Sequence, residues 1–231
     1  MRVLILSRPR DANTLSARAP VKLGADPGKN PKRKEYFKFC SKAQTIPKKS
    51  GTKRSAARDF TTTTTTAKEL VTKDLIVARA PPTGFDNVAP GANLARTASQ
   101  NGLWSSDFGT CVGFAVTGTP GTTGGNTRFL MHMTIPDWAT MTAQWTDFAA
   151  KVDAARLTGV SGIMYTVDTR SSNTAELTDQ YMKDEAAGLE SDYAELWRAF
   201  RAMVPGAARA YHPFARVGTL QINQQNRINY T

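Results

Sequence analysis

The chain has 231 residues, 40 % of them hydrophobic, which is enough to build one sizeable domain with an apolar core. Two cysteines are too few for a disulfide framework, and with only two histidines a dedicated zinc site is not expected. The net charge of +11 is unevenly distributed along the chain. Residues 1–60 hold 16 Lys or Arg and 4 Asp or Glu, whereas residues 61–231 hold 14 Lys or Arg and 15 Asp or Glu.

Residues 1–66 are predicted to form a basic, disordered leader that ends in the threonine run 61–66. Charge, Pro and Gly dominate this stretch, and its few aliphatic residues cannot offset the entropy of ordering. Because Cys40 lies in this leader, no structural bridge to Cys111 is expected. The two basic clusters, 29–34 and 47–54, resemble nuclear-import or nucleic-acid-binding patches, and a solvated charged tail is the alternative.

The first residues point to an intracellular protein. Their apolar core spans only residues 3–6, shorter than a secretory signal requires, although the composition of residues 1–25 also fits an organelle transit leader. No apolar run approaches the roughly 20 residues needed to cross a bilayer, so no membrane span is expected.

A single domain is predicted over residues 67–231, and it begins with a short apolar strand at 74–79. The turn-rich stretch 81–102 is interpreted as a functional or covering loop. "GTCVGFAVTG" then alternates Val112, Phe114 and Val116 on one face with Cys111, Gly113 and Ala115 on the other. With "RFLMHMTI" it is expected to form a β-hairpin around the glycine-rich loop 118–125.

Two helices follow in the predicted order of elements. Asp137 is expected to cap the first, whose apolar stripe runs over 138–155 and which Gly159 ends. "VSGIMYTVDTR" indicates a buried strand, the stripe 189–203 indicates a second helix ended by Pro205, and "ARAYHPFARVGTLQIN" supplies one or two closing strands. This order predicts a mixed α/β fold (α+β) with largely antiparallel, layered sheets and two flanking amphipathic helices.

Cys111 and His132 are the candidate catalytic pair. A hairpin register that pairs Cys111 with His132 also pairs Thr117 with Asn126, and residues directly opposed on one face come within about 5 Å at Cβ. A neighbouring imidazolium lowers the pKa of a thiol, and the resulting thiolate attacks carbonyl carbons. The alternative is that the cysteine is a small buried hydrophobe and the histidine a core residue.

Residues around the cysteine offer the supporting groups that such chemistry needs. Ser105, Ser106 and Asp107 are candidates for orienting the imidazole. Backbone N–H groups of Gly109, Thr110 and Cys111 are candidates for receiving an oxyanion. Gly113, on the face of the cysteine, is expected to leave room for a substrate side chain.

"FGTCVGFAVTG", followed by "RFLMHM", a helix and "GVSGIMYTVDT", resembles the layout of the chemotaxis receptor-glutamine deamidases (the CheD type). It is also similar to the deamidase domain of cytotoxic necrotising factor toxins. The resemblance covers roughly residues 100–170 and implies a CheD/CNF-like fold with Cys111 as nucleophile and His132 as general acid/base. The chemotaxis enzymes use a Thr six residues before the cysteine, where this chain has Ser105. Thr110 before the cysteine, the longer Cys-to-His gap and the missing Gly-Gly-Ala signature depart from that family.

Two functions follow from these observations. The first is a cysteine-dependent hydrolase of a carboxamide, a protein glutamine deamidase, with a protein or small amide as substrate and no cofactor. The second is a non-enzymatic adaptor domain that its basic leader, residues 1–60, tethers to nucleic acid or to an acidic partner.

Overall fold

The computed structural model describes residues 20–28, 80–170, 180–213 and 217–231. These residues form nine strands and two helices. The strands are β1 Phe85–Asn87, β2 Asn93–Thr97, β3 Gly102–Phe108, β4 Val112–Thr119, β5 Asn126–Met133, β6 Thr158–Val167, β7 Ala208–His212, β8 Gly218–Ile222 and β9 Ile228–Tyr230. The helices are α1 Trp138–Ala154 and α2 Gln180–Met203. The predicted strand at 74–79 lies outside the described residues.

The strands form two sheets, a four-stranded one with the order β1-β3-β8-β9 and a five-stranded one with the order β2-β5-β4-β6-β7. The β1–β3 and β6–β7 pairs are parallel, and the other neighbours are antiparallel. The predicted class, a mixed α/β fold with largely antiparallel sheets and two helices, is thereby confirmed. Among the described residues, neither helix is both long and apolar enough to cross a membrane.

The alternation of β4 separates two cores. Val112, Phe114 and Val116 join the core between the large sheet and the helices, whereas Cys111 and Ala115 join the core between the two sheets. Successive side chains of a strand point to opposite faces, so a sheet covered on both faces reads as this continuous apolar run. The molecule therefore has three layers: small sheet, large sheet and helices.

The start of α1 follows the sequence prediction, and its end does not. The Asp137 side chain accepts a hydrogen bond from the Thr140 N–H and caps the helix. The helix ends at Ala154, with Ala155 as its C-cap, before Arg156 turns the chain with a φ of 48°. The prediction that Gly159 ends the helix is wrong, because that glycine lies inside β6.

The stretch 81–102 is not the loop predicted from its turn residues, because it contains β1 and β2 and ends where β3 begins. β1 has three residues and β2 has five, and both lie at sheet edges. Strands this short show no clear alternation in the sequence, and their partner strands determine the conformation.

Residues 20–28 belong to the predicted disordered leader, yet they pack on the helices. The Leu23 side chain is buried in the core beside α1 and α2. The indole N–H of Trp145 donates to the Val21 carbonyl at 2.6 Å, and the Gly24 N–H donates to Glu195 Oε1 at 2.7 Å. The prediction of disorder is therefore wrong for these residues, and the rest of the leader, with both basic clusters, lies outside the described residues.

A buried arginine ties the β4–β5 hairpin to the connection between β2 and β3 and to the turn between β8 and β9. Arg128 has no exposed surface. Its acceptors among the described residues are all neutral oxygens: Asn226 Oδ1 and the carbonyls of Ala98, Gln100, Asn101 and Gln224. Burial lowers the pKa of Arg128. The five hydrogen bonds offset the loss of water around the charge and fix β5 relative to β3 and β8.

Candidate functional site

The hairpin brings Cys111 and His132 to the same face of the large sheet, in a register that differs from the prediction. His132 lies opposite Gly113, and Thr117 lies opposite Arg128. The predicted direct opposition of Cys111 and His132 is therefore wrong by two residues. A shift of two residues preserves the face. Cys111 directly precedes β4, and a residue at that position of a regular sheet is a diagonal neighbour of His132, at a Cβ separation of about 7 Å.

Ser105 is the residue that orients the His132 imidazole. Its Oγ lies 2.6 Å from the Val88 carbonyl oxygen and 2.8 Å from His132 Nδ1. A hydroxyl has one proton and a carbonyl can only accept, so Ser105 donates to Val88 and accepts from the Nδ1–H of His132. Neutral His132 therefore carries its proton on Nδ1 and its lone pair on Nε2.

The other two candidates for the orienting role do not contact the ring. The Ser106 hydroxyl donates to Asp107 Oδ2 at 2.7 Å, and Asp107 has a φ of 63° inside an irregularity of β3. Of the three candidates, the structure brings only Ser105 to His132.

His132 Nε2 is buried and has no hydrogen-bond partner among the described residues. The whole side chain has no exposed surface, and burial lowers its pKa to about 3, because the charged ring would lose its water without a compensating anion. The imidazole is therefore neutral at physiological pH, with an unused lone pair on the nitrogen that a base would use. This tautomer is the one that general-base catalysis requires.

We expect acid to destabilise the folded chain through His132. The pKa of His132 lies below its usual value of 6.5, so the unfolded state binds more protons as the pH falls through 6.5. The contribution of neutral His132 to the free energy of unfolding is thus fully present above pH 6.5. It falls by about 1.4 kcal/mol per pH unit as the pH is lowered toward 4.5. Urea unfolding at a series of pH values measures this slope, and His132→Asn should flatten it.

The second histidine of the chain provides the matched control. His212 is also buried, so His212→Gln is measured over the same pH range. Asp86, Asp147 and Asp168 have pKa values lowered by hydrogen-bonding partners, and they titrate below this window. The hydrogen bond from Arg198 lowers the pKa of Glu195 from its usual 4.5, so Glu195 adds to the slope only at the acid end of the window and does so equally in both variants. A slope that survives His132→Asn but disappears in His212→Gln would contradict the assignment.

Cys111 is disulfide-bonded and has no exposed surface. The expectation that Cys111 takes part in no bridge is wrong. The sequence contains one other cysteine, Cys40, which lies outside the described residues. The expectation assumed that a leader stays away from the domain, whereas residues 20–28 pack on it. The structure therefore presents the candidate site in its oxidised form.

Gly113 does not leave the space predicted for a substrate side chain. A Cβ at this position would lie 2.7 Å from Leu220 Cδ2 and 3.0 Å from the Phe108 ring, so both side chains occupy the room that the missing side chain frees. The glycine instead permits the small sheet to approach the large sheet closely in front of His132.

A hydrogen bond from helix α2 fixes the turn before the cysteine. Gly109 and Thr110 are buried, and the Tyr193 hydroxyl on α2 donates to the Thr110 carbonyl at 2.8 Å. The sequence identified Tyr193 only as part of an apolar stripe, since a stripe does not show what a hydroxyl at its edge will reach. The bond fixes one end of the Gly109–Cys111 turn.

No protein-family model matches the chain, and no curated protein matches it. Within the described part of the chain, no group of three or more His, Cys, Asp or Glu side chains is placed to hold a metal ion.

Proposed function

We propose that the chain is a cysteine-dependent hydrolase of a carboxamide, a protein glutamine deamidase, in which Cys111 is the nucleophile and His132 the general acid/base. One observation carries the proposal. Ser105 holds His132 in the Nδ1–H tautomer, so that a buried, unpartnered Nε2 lies on the face of the sheet that carries Cys111. A core histidine, by contrast, ordinarily has its buried nitrogens satisfied.

The first half of the proposed reaction forms a thioester. His132 Nε2 takes the proton of the reduced Cys111 thiol, and the thiolate attacks the carboxamide carbon of the substrate. The carbonyl oxygen becomes an oxyanion, for which the backbone N–H groups of the turn at Gly109 and Thr110 are the proposed donors. The imidazolium then protonates the departing nitrogen, the C–N bond breaks and ammonia leaves.

The second half regenerates the enzyme. Nε2, neutral again, takes a proton from water, and the hydroxide attacks the thioester carbon. The C–S bond breaks, the substrate leaves as a carboxylic acid that gives its proton to the solvent, and the Cys111 thiolate recovers a proton from the imidazolium. Ser105 accepts from Nδ1–H throughout and keeps the ring in one orientation. The net change is amide plus water to acid plus ammonia.

The proposal is tested by the rate at which iodoacetamide alkylates Cys111 as a function of pH. The full chain carrying Cys40→Ser is used, so that Cys111 is the sole thiol. The lowered pKa of His132 belongs to the oxidised chain, in which Cys111 is bonded to another sulfur and offers the ring no anion. In the reduced chain the Cys111 thiolate supplies that anion. A thiol paired with His132 should therefore react at a constant rate between about pH 6 and pH 8, because proton transfer to the imidazole supplies thiolate well below the usual thiol pKa near 8.5. Mass spectrometry confirms the modified residue.

His132→Asn in the same background is the control. It should remove the reaction at neutral pH and leave a rate that rises only through the ordinary thiol pKa. A parent protein that already shows this ordinary profile, or that resists alkylation at every pH while folded, contradicts the proposed function and favours a core role for Cys111.

A further inference from the structure

Phe108 lies flat against the His132 imidazole, and the proposed reaction gives it no role so far. The two ring centroids are 4.0 Å apart with an angle of 22° between the planes. Both side chains have no exposed surface. One face of the imidazole is therefore covered by an aromatic ring in a place that water does not reach.

A bulge in β3 brings Phe108 to this ring. Ser105 pairs with Leu220 and Phe108 pairs with Gly218, so the register between β3 and β8 shifts by one residue between them. Residues three apart in a regular strand point to opposite faces, and one extra residue reverses this relation. Asp107, whose φ of 63° is tolerated by Asp better than by most residues, supplies the reversal. One strand thus contacts both the edge and the face of the same imidazole.

The proposed reaction makes His132 a cation in these surroundings. Nδ1 donates to Ser105, and no carboxylate bonds to the ring among the described residues. The charged and titratable described groups on its side of the sheet are Cys111, Tyr165 and the buried Arg128, which lies four residues before His132 on the same face of β5. The Tyr165 ring meets Phe108 edge-on at 5.6 Å, and His212 and Tyr230 lie beyond it, at 5.1 Å and 5.7 Å from the Tyr165 ring. Burial raises the pKa of Tyr165, so its hydroxyl stays neutral.

We propose that Phe108 is a positioning residue whose ring face stabilises the His132 imidazolium and thereby favours the thiolate of Cys111. The inference rests on the proposed function. A cation within about 6 Å of an aromatic centroid is attracted by the negative face of the ring, most strongly where water is excluded. Phe108 therefore supplies part of the stabilisation that a buried carboxylate gives the imidazolium in hydrolases with an acidic third residue.

Phe108→Leu tests the inference in the full chain carrying Cys40→Ser. The iodoacetamide rate at Cys111 should fall about tenfold at pH 7, because the ion pair that supplies thiolate loses the aromatic face. The rate at pH 10 should stay unchanged, because a thiol is ionised there without help from an imidazolium. A change in packing or access would slow the reaction at both pH values, so the ratio of the two rates isolates the electrostatic role.

Two further variants separate the electrostatic effect of the Phe108 ring from a general loss of packing. Phe148→Leu makes the same change at an equally buried phenylalanine in the core beside the helices, and it should leave the ratio unchanged. Replacing Phe108 by 3,4,5-trifluorophenylalanine keeps the ring shape but weakens its negative face, and it should reproduce the selective loss at pH 7 even if Phe108→Leu does not fold.

The inference and the proposed function fail in different ways. A parent protein without a constant rate at neutral pH overturns the proposed function, and this is seen before any Phe108 variant is compared. A parent with that constant rate, but with Phe108 variants whose rates are unchanged or fall equally at pH 7 and pH 10, overturns the role of Phe108 alone.

Discussion

Cys111→Ala should abolish ammonia release from glutamine-containing peptides, lowering the rate by at least about 10⁴-fold, the scale seen when a catalytic nucleophile is removed. The Ser105 hydroxyl beside His132 cannot replace the thiol, because Ser105 donates its proton to Val88 and accepts from His132. Parent and variant both carry Cys40→Ser, so that neither contains the disulfide. Ammonia is measured continuously with a coupled dehydrogenase.

Thermal unfolding of the same two proteins separates chemistry from packing. Alanine lacks only the sulfur of cysteine, so we expect a loss of about 1 kcal/mol in the free energy of unfolding at this buried position. A parent without activity, together with a variant that unfolds many degrees lower, would identify Cys111 as a core residue. Full ammonia release by the variant would exclude it as the nucleophile.

The alternation of residues predicts which face each side chain of the hairpin occupies, and it does so correctly for Val112, Phe114, Cys111 and Ala115. The period of two is a local property of a strand, and the sequence records it directly. The register between β4 and β5, by contrast, is not a property of one strand alone. It depends on the conformation of the turn 120–125, where Gly124 has a φ of 73°. The two-residue error follows from assuming the longer loop 118–125, whereas β4 runs on to Thr119 and β5 begins at Asn126.

Of the contacts that His132 makes, one could be predicted from the sequence and another could not. The position of Ser105, six residues before the cysteine, makes it a candidate partner of the imidazole, and its hydroxyl does bond to His132 Nδ1. Phe108 could not be predicted together with Ser105, because residues three apart belong to opposite faces unless a bulge lies between them. Ser106 and Asp107 carry no sequence signal that marks a bulge. The stacking of Phe108 on His132 could therefore be found only from the structure.

The packing of residues 20–28 depends on tertiary contacts that composition does not show. Val21 and Leu23 are too few to predict an element, and the stretch has no regular secondary structure. Its order comes from donors elsewhere in the chain, the indole N–H groups of Trp145 and Trp138, which reach the Val21 and Gly24 carbonyls. Sequence patterns describe the segment itself, whereas these partners lie more than 100 residues away.

Oxidation should inactivate the chain, and a small dithiol should restore ammonia release by at least about 10³-fold. In the structure Cys111 is bonded to another sulfur, and a disulfide sulfur has no thiolate with which to attack a carbonyl. A dithiol first forms a mixed disulfide with one of the two bonded cysteines and then closes on itself. The chain gains two thiols, and the reductant leaves as a cyclic disulfide.

Cys40→Ser separates this redox effect from a general need for reductant. Cys40 is the one other cysteine of the sequence, so the variant leaves Cys111 without a partner in the chain and should release ammonia at the reduced rate with no dithiol present. Adding Cys111→Ala to Cys40→Ser should give a protein that no dithiol activates. If the wild-type chain, shown by thiol titration to contain no free thiol, releases ammonia as fast as the reduced chain, Cys111 is not the nucleophile, because its sulfur is then unable to form the thioester.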